Sequence, residues 1–309
     1  MSKNGVVTAT APGCRWIDVE DPDERTLAKL ARTYGFSKQN MEDIISPTQR
    51  PKLDVHEDYV FFVFRFPLTS KGKHARTSEL DVILTKDSII TFHSSDLHVV
   101  RGVLSDTRLF KNRRTSFLGS GPSHVLFELL LILFESVYTV TDELAKHNDA
   151  IESEIFSTRE QSDKTINRIA QHRRRMLDYI KVAKPQANYL RTCLSNTGDF
   201  ISPEVRHKWR SLIDAAESQW ELFDTSLSVL TGLSDSSDSL TTHRFNQTVR
   251  LLTIISVIFL PATFFLNIVS NDTPGAPLQD FEPAFIVVLA VLLSVQLAFI
   301  WFLRRRRVL

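Results

Sequence analysis

Two uncharged apolar runs near the end of the chain constrain its fold more than any other feature. They are Leu251–Val269 and Ala284–Leu303, and each is close to the roughly 20 residues that an α-helix needs to cross a bilayer. The segment between them is rich in proline and polar residues, so it can neither continue a helix nor remain in lipid. We therefore predict a transmembrane hairpin, with spans at 249–270 and 284–303 and an external loop at 271–283.

The charges around these runs predict their orientation. Arg244 and Arg250 precede the first run, and four arginines make a basic tail at 304–309, whereas the loop carries acidic residues but no Lys or Arg. Lys and Arg concentrate on the cytosolic side of membrane proteins. We therefore expect both termini in the cytosol and the protein in a cytoplasmic membrane, the inner membrane of a bacterium.

The remainder of the chain reads as a soluble protein of balanced charge, with 37 Lys and Arg against 36 Asp and Glu. The first residues contain no apolar signal-sequence core, so we expect this part to stay in the cytosol. Cys14 and Cys193 are then expected to be reduced, buried or incidental thiols. The chain has no P-loop, dinucleotide fingerprint, nucleophile elbow or zinc-protease motif. Nothing therefore predicts an enzyme or an organic cofactor.

Residues 1–120 predict an α/β domain. Short aromatic and β-branched runs indicate strands at Arg15–Val19, Tyr59–Phe66, Asp81–Leu84 and Ser88–His93. Between the first two strands, Asp21 followed by proline predicts the start of one helix, and Ser37 predicts the cap of a second.

Residues 121–248 predict a stalk or bundle of long cytosolic helices. Apolar residues recur at three- and four-residue steps through 124–157, 162–195 and 203–233. A Ser/Asp-rich segment at 234–239 is expected to interrupt the pattern. A last helix should then begin near Leu240 and run without a break into the first span.

Polar residues of the first span share one helix face with a few apolar ones. Steps of three, four and seven residues place side chains on one stripe. The stripe consists of Asn246, Val249, Ser256, Leu260, Thr263, Asn267 and Ser270. Because an amide is costly against lipid, such a stripe predicts either a helix-packing face or the lining of a pore. A pore would require several copies of the chain in a ring, and the second span, with few polar residues, would be the outer helix.

Two further polar clusters have ordinary alternatives. The run Arg173–Arg175 favours a solvated helix face, paired with carboxylates of a neighbouring helix, over recognition of nucleic acid or lipid. His93, Asp96 and His98 are zinc-ligand types, but a strand followed by a polar loop is favoured because no further ligands lie close in the sequence. We predict no nucleic-acid partner.

Motifs along nearly the whole chain match one known family. In the first span these are the Leu-Thr-Ile-Ile cluster from Leu252, Pro261, and the Thr263-Phe264 pair. Upstream they are Trp16-Ile17-Asp18, Met41-Glu42-Asp43, Gln49-Arg50-Pro51-Lys52 and Ile90-Thr91-Phe92-His93. Together with the basic tail, this set resembles the CorA-type divalent cation transporters.

The resemblance implies a funnel-shaped homopentamer in a lipid membrane, with the long helices as its stalk and divalent cations as its cargo. It implies that the pore is lined by Asn246, Val249, Leu252, Leu260 and Thr263, whose apolar members would form a hydrophobic constriction.

The resemblance also implies a regulatory metal site between subunits. Glu42 and Asp43 match one side of that site, Asp214 matches the other by an ungapped count, and Asp235 falls near the funnel neck. Carboxylates of adjacent subunits repel until a divalent ion bridges them, so loss of the ion would loosen the ring.

The external mouth departs from the family pattern. Where the family has Tyr-Gly-Met-Asn, an ungapped alignment on Pro261 places Val269, Ser270, Asn271 and Asp272. A ring of Asp272 carboxylates would concentrate cations, and an ordinary solvated loop acid is the alternative. Because relatives of the ZntB type also vary here and handle zinc, the expected ion is magnesium, zinc or another transition metal.

Three functions remain open from the sequence. The first is a divalent cation channel gated by cytosolic metal, with the direction of transport open. The second is a non-conducting CorA-like metal sensor or membrane scaffold, suggested by the missing Gly-Met-Asn and by the bulky Phe265 and Leu266 beside Asn267. The third is a protein that binds an acidic partner through Arg173–Arg175. Hydration of the stripe in the assembled ring would separate the first two.

Overall fold

The computed structural model describes residues 5–46, 50–70, 72, 74–157 and 163–270, together with 287, 290, 291, 294–299, 301 and 305. The strands are β1 Gly5–Ala11, β2 Cys14–Glu20, β3 Lys52–Val55, β4 Val60–Leu68, β5 Arg76–Leu84 and β6 Ser88–His93. The helices are α1 Glu24–Tyr34, α2 Lys38–Ile45, α3 His98–Leu109, α4 Lys111–Leu118, α5 Pro122–Ser157, α6 Asp163–Asn196, α7 Pro203–Lys208 and α8 Arg210–Ser270. The chain divides into an N-terminal unit, Met1–Asp235, and a C-terminal unit, Ser236–Leu309.

The strands form one mixed sheet in the order β1-β2-β6-β5-β4-β3. Only β2 and β6 pair in parallel among the described strands, and the other neighbours are antiparallel. The four predicted strands are confirmed as β2, β4, β5 and β6. Sequence analysis missed the two edge strands. In β1 the adjacent Val6 and Val7 are followed only by Thr and Ala, and β3 has four residues, so neither shows a clear apolar alternation.

Helices cover both faces of the sheet, and β4 shows why its sequence is a nearly continuous aromatic run. Phe61 and Val63 join the core cluster under α1 and α2. Phe64 and Phe66 point the other way, where their rings meet Tyr189 of α6 and Phe134 of α5 edge to face, each at 5.3 Å between centroids. A strand buried on both faces needs apolar side chains at every position.

The predicted helix pair between the first strands is confirmed, with a shifted start. Ser37 caps α2 by accepting a hydrogen bond from the Asn40 backbone N–H, as expected. The cap of α1 is Asp23 rather than Asp21. Asp21 has a positive φ of 49°, and its side chain accepts a hydrogen bond from the backbone of Ser95. It therefore belongs to the turn that leaves β2.

The helices α3 and α4 were not predicted, and α5 is more than a stalk helix. α5 is long and apolar enough to cross a membrane, yet 56% of its most apolar window is buried inside the structure. The sheet and neighbouring helices supply the partners for this surface, so α5 is a core helix of the N-terminal unit. The predicted boundary near residue 120 accordingly does not coincide with the boundary between the two units.

The helix α8 continues through the Ser/Asp-rich segment at 234–239, so the predicted interruption there is wrong. Small polar residues weaken a helix without breaking it, and this segment contains no proline. The apolar stretch towards the end of α8 is long enough to cross a membrane, and none of it is buried within the chain. This stretch contains the first predicted span. Most of the second span, the loop 271–283 and most of the tail lie outside the described residues.

Candidate cation pathway

One face of α8 presents the predicted stripe, together with the pore-lining candidate Leu252, as a continuous exposed surface. Asn246, Val249, Leu252, Ser256, Leu260, Thr263 and Asn267 are all exposed. Its apolar members Val249, Leu252 and Leu260 are exposed by 44%, 64% and 69%, much as Leu251, Phe259 and Phe264 elsewhere on the helix are. Ser270 ends the helix, and its side chain lies outside the described residues. A surface of this kind must meet lipid, water or another copy of the chain.

The hydroxyl groups of the stripe are already hydrogen-bonded within the helix. Ser256 donates its proton to the carbonyl of Leu252, and Thr263 donates to the carbonyl of Phe259, both at 2.9 Å. Each hydroxyl oxygen keeps lone pairs that can accept a further hydrogen bond or contact a cation. The stripe therefore offers acceptors at these two positions.

The opposite side of α8 is the side that packs within the chain. Ile254, Ile258 and Ala262 are half-buried, and at about 3.6 residues per turn they face away from the stripe. The amide of Gln296, a polar residue of the second predicted span, donates to the carbonyl of Ile258 at 2.6 Å. Pro261 lies in the same turn, but the N–H that it lacks would bond to the carbonyl of Val257, so the contact from Gln296 does not replace that bond. The stripe is thus left uncovered by this contact.

The predicted external mouth is described only at its edge. Asn271 and Asp272 lie outside the described residues, as do the side chains of Phe265 and Leu266. The expectations for the mouth therefore stay predictions.

The four predicted regulatory acids lie in two helices. Glu42 and Asp43 belong to α2, whereas Asp214 and Asp235 are exposed on α8. In residues 5–270, apart from the gaps noted above, no group of three or more His, Cys, Asp or Glu side chains could hold a metal ion. A site shared between subunits needs a second copy, so this assignment remains a prediction.

Sequence analysis missed the partner that Asp43 has within its own chain. The Lys52 ammonium lies 2.6 Å from Asp43 and 2.8 Å from Asp54. Burial lowers the pKa of Lys52, but its hydrogen bonds to Asp43 and Asp54 outweigh this effect and leave the pKa raised. Lys52 therefore stays protonated. Its place in the Arg50-Pro51-Lys52 motif, on the strand after α2, was the available signal.

The zinc alternative at the end of β6 gains no support. His93 is buried with its Nε2 atom 3.2 Å from Asp18, and Asp96 pairs with Arg76 at 2.8 Å. Two of the three candidate ligands are thus engaged with other side chains, and His98 is exposed at the start of α3. The favoured interpretation as a strand end and polar loop agrees with this geometry.

The arginine run does not form a uniformly solvated face. Arg173 and Arg174 are exposed, but Arg175 is only 6% exposed, and its guanidinium lies 3.8 Å from Glu143 of α5. A carboxylate on a neighbouring helix was expected, and Glu143 is one, at the long end of ion-pair distances. The expectation that the run is solvated is wrong for Arg175. Helical spacing predicts this, since Arg175 is followed by the fully buried Met176 and Tyr179.

Both cysteines are buried and free, as predicted. Burial raises the pKa of each thiol to about 12. The thiols are therefore protonated and unreactive at physiological pH.

Comparisons with known proteins agree with this arrangement of elements. The family model described as CorA-like Mg2+ transporter protein matches residues 12–306. The cobalt/magnesium transport protein CorA of Thermotoga maritima is 24% identical over 298 residues, 94% of this chain and 82% of that protein. The zinc transport protein ZntB of Photorhabdus laumondii is 21% identical over 310 residues, 99% of this chain and 91% of that protein.

The fold is shared with a solved relative. The complete structure of the CorA magnesium transporter from Methanocaldococcus jannaschii matches with a TM-score of 0.79 at 19% identity, over 94% of this chain and 90% of that one. The α/β domain with long helices, inferred from the sequence, is thereby confirmed. Because the family model spans nearly all of the sequence, this chain belongs to the CorA-like Mg2+ transporter protein family, which comprises transporters.

Proposed function

We propose that several copies of this chain form a membrane pore for divalent cations, lined by the exposed stripe of α8. The observation that carries the proposal is the direction of the hydroxyl groups. Ser256 and Thr263 give their protons to carbonyls of their own helix, so the lone pairs of their oxygens remain available on the exposed surface. Such oxygens suit divalent cations and the water molecules around them.

The pore is enclosed by a homo-oligomer, a pentamer as the family resemblance implies. One chain presents one exposed stripe, and a ring places the stripes of neighbouring copies around a common axis. Leu252 and Leu260 then form apolar constrictions that gate by excluding water. Their exposure of 64% and 69% in a single chain supports this role. Leucine side chains this exposed must be covered by another copy of the chain or by lipid, or must line a pore from which water is excluded.

The protein lies in a cytoplasmic membrane with both termini in the cytosol, and its N-terminal unit is cytosolic. The arginines on either side of the hairpin and the acidic loop between the spans support this orientation.

The transported ion is magnesium, zinc or another transition metal. Relatives named for cobalt and magnesium transport and for zinc transport support the class of ion without choosing among its members. Ser270, Asn271 and Asp272 form the external mouth, where a ring of carboxylates attracts cations.

Cytosolic metal regulates the pore through Glu42, Asp43, Asp214 and Asp235. A divalent ion between adjacent subunits would hold the ring closed, and its loss would free the stalks to move. The Lys52 ammonium, 2.6 Å from Asp43, would compete with the ion for this carboxylate.

Ion flux through liposomes containing the purified protein tests the proposal. Magnesium, zinc, cobalt and nickel are compared for the wild type, Ser256→Ala, Thr263→Val and Asn267→Ala. Removing an acceptor from the stripe should lower the flux several-fold and change the order of the ions. Ser294→Ala is the matched control, because Ser294 also donates to a carbonyl of its own helix, that of Ala290, but lies on the second span.

Two results would contradict the proposal. If Ser294→Ala reduces flux as much as Ser256→Ala, the stripe has no special role. If a correctly assembled wild-type ring passes none of the four ions, the chain is a metal sensor or scaffold instead. Asp272→Asn, measured in the same assay, tests the mouth separately.

A further inference from the structure

A cavity lined by polar residues lies in the N-terminal unit, and no residue of α8 lines it. It has a volume of about 250 Å3 and opens between α5, α6 and the segment that joins β4 to β5. Its polar lining comes from Gly72, His147, Arg168, Gln171, His172 and Arg175. The volume is several times the roughly 30 Å3 that one water molecule occupies in the liquid. The cavity therefore has room for a small ligand together with water.

Two deeply buried side chains of the lining have unpaired nitrogens. His172 and Arg175 are 5% and 6% exposed, yet within the described part of the chain Nε2 of His172 and Nε of Arg175 have no hydrogen-bond partner. Their other nitrogens are engaged: Arg175 donates to the carbonyl of Ser70 at 3.0 Å and to Nδ1 of His172 at 3.1 Å. Buried polar groups are almost always paired, so these two call for a partner that the chain does not supply.

Both unpaired groups are donors. A guanidinium can only donate, so the Nδ1 atom of His172 that faces Arg175 must accept, and the hydrogen of the neutral ring sits on Nε2. Burial, followed by the charges of Arg175 and His147, lowers the pKa of His172 to about 4, against the opposing effect of the nearby Leu144 backbone carbonyl. The ring is therefore neutral at physiological pH. The partner that fits two N–H groups is an acceptor.

The pair of histidines does not make a metal site. The rings of His147 and His172 stack with their centroids 5.3 Å apart, which invites that interpretation. However, the hydrogen on Nε2 of His172 occupies the position of the lone pair that a metal would need. Arg168 and Arg175 also line the cavity, and no carboxylate does so among the described residues. Outside the lining, Arg168 pairs with Glu154 and Arg175 lies 3.8 Å from Glu143, so the site has no excess positive charge. What the lining offers is N–H donors without a carboxylate, and these suit an anion as the acceptor.

We infer that this cavity binds a phosphate group, held by the Nε2–H of His172 and the Nε–H of Arg175, with Arg168 and Gln171 at its open side. Free inorganic phosphate and the terminal phosphate of a nucleotide share this chemistry. The cavity is smaller than the roughly 300 Å3 at which pockets for drug-sized ligands begin. Inorganic phosphate should therefore enter completely, whereas the base and sugar of a nucleotide would remain outside.

Calorimetric titration of the purified full-length protein tests the inference. Inorganic phosphate, ATP and, as an ionic-strength control, sodium chloride are titrated into protein prepared without phosphate. The wild type should bind phosphate saturably, and His172→Phe, which keeps the aromatic stack with His147, should raise the Kd at least about tenfold. Arg168→Gln provides a second variant at a side chain that is 48% exposed, where losing the ion pair with Glu154 should cost little stability. It should also weaken binding.

Arg174→Gln is the matched control, because it removes the same charge from an exposed position on the same helix that does not line the cavity. Its Kd should equal that of the wild type. Phosphate binding with no tighter binding of ATP identifies free phosphate as the ligand, and much tighter binding of ATP identifies the nucleotide. The inference is overturned if neither ligand binds saturably, if Arg174→Gln weakens binding as much as Arg168→Gln, or if His172→Phe leaves the Kd unchanged.

Discussion

Replacing Asp18 by asparagine should destabilise the N-terminal unit in a pH-dependent way. Asp18 is buried, and Thr91 donates to its Oδ1 atom while the Nε2 atom of His93 lies 3.2 Å away. The other ring nitrogen of His93, Nδ1, lies 2.8 Å from the carbonyl of Ser94. Both ring nitrogens thus face acceptors. Only the doubly protonated imidazolium can donate to both.

The sign of the pH dependence follows from this geometry. Burial lowers the pKa of His93, but the hydrogen bond to Asp18 and the charge of Asp18 outweigh it, so the folded pKa lies above the usual 6.5. Because the pKa of His93 is higher in the folded protein than in the unfolded one, the ion pair contributes its full stabilisation of the fold at pH values below the unfolded pKa. The stabilisation is then lost as the pH rises through the folded pKa.

The burial of both side chains sets the magnitude. They are 1% and 4% exposed, so the small values of surface ion pairs do not apply. Asp18→Asn leaves the His93 charge buried without its partner, which should lower the free energy of unfolding by about 3–5 kcal/mol below pH 6.5. At alkaline pH, where His93 is neutral, only the hydrogen-bond loss of about 1–3 kcal/mol should remain.

Urea unfolding of the full-length protein across a pH series measures the effect. Tryptophan fluorescence is the readout, and Trp16 reports locally because its indole N–H donates to Thr91 at 3.0 Å. Asp96→Asn is the matched control, because it breaks the ion pair with Arg76, whose side chains are more than half exposed. The free energy of unfolding should then fall by only about 0.2–1 kcal/mol. An equal loss for Asp18→Asn at acidic and alkaline pH would refute the assignment of a charged His93.

Two further changes test the interior of the N-terminal unit. Burial raises the pKa of Asp81 well above 3.8, and its Oδ1 atom has no hydrogen-bond partner in the described part of the chain. Asp81→Asn should therefore raise the free energy of unfolding near neutral pH and have no such effect below pH 3.8, as measured by urea unfolding. If the variant is still more stable than the wild type in acid, the raised pKa is contradicted. Leu130 of α5 is 0% exposed, so Leu130→Ala should cost about 2–5 kcal/mol, whereas Leu222→Ala, at a site 38% exposed, should cost clearly less in the same measurement.

Much of the fold was predictable because its signals are local. The aromatic run of β4, the capping serine of α2 and the recurrence of apolar residues in α5 and α6 each depend on neighbours within a few positions. The polar stripe of α8 is also local, since helical spacing alone places Ser256, Thr263 and Asn267 on one face. The edge strands, the helices α3 and α4 and the start of α8 were among the features missed, because short elements and weak helix formers carry little periodic signal.

The sequence by itself determined where the chain can enter a membrane and which face of the first span is polar, because length, hydropathy and helical spacing suffice for both. Only the tertiary structure decided which apolar surface is buried within the chain. The apolar run of α5 is covered by the sheet and its neighbouring helices, whereas the apolar end of α8 is not. It also decided the states of single side chains. The charge of His93 depends on Asp18, 75 residues away in the chain, and no local pattern can specify such a contact.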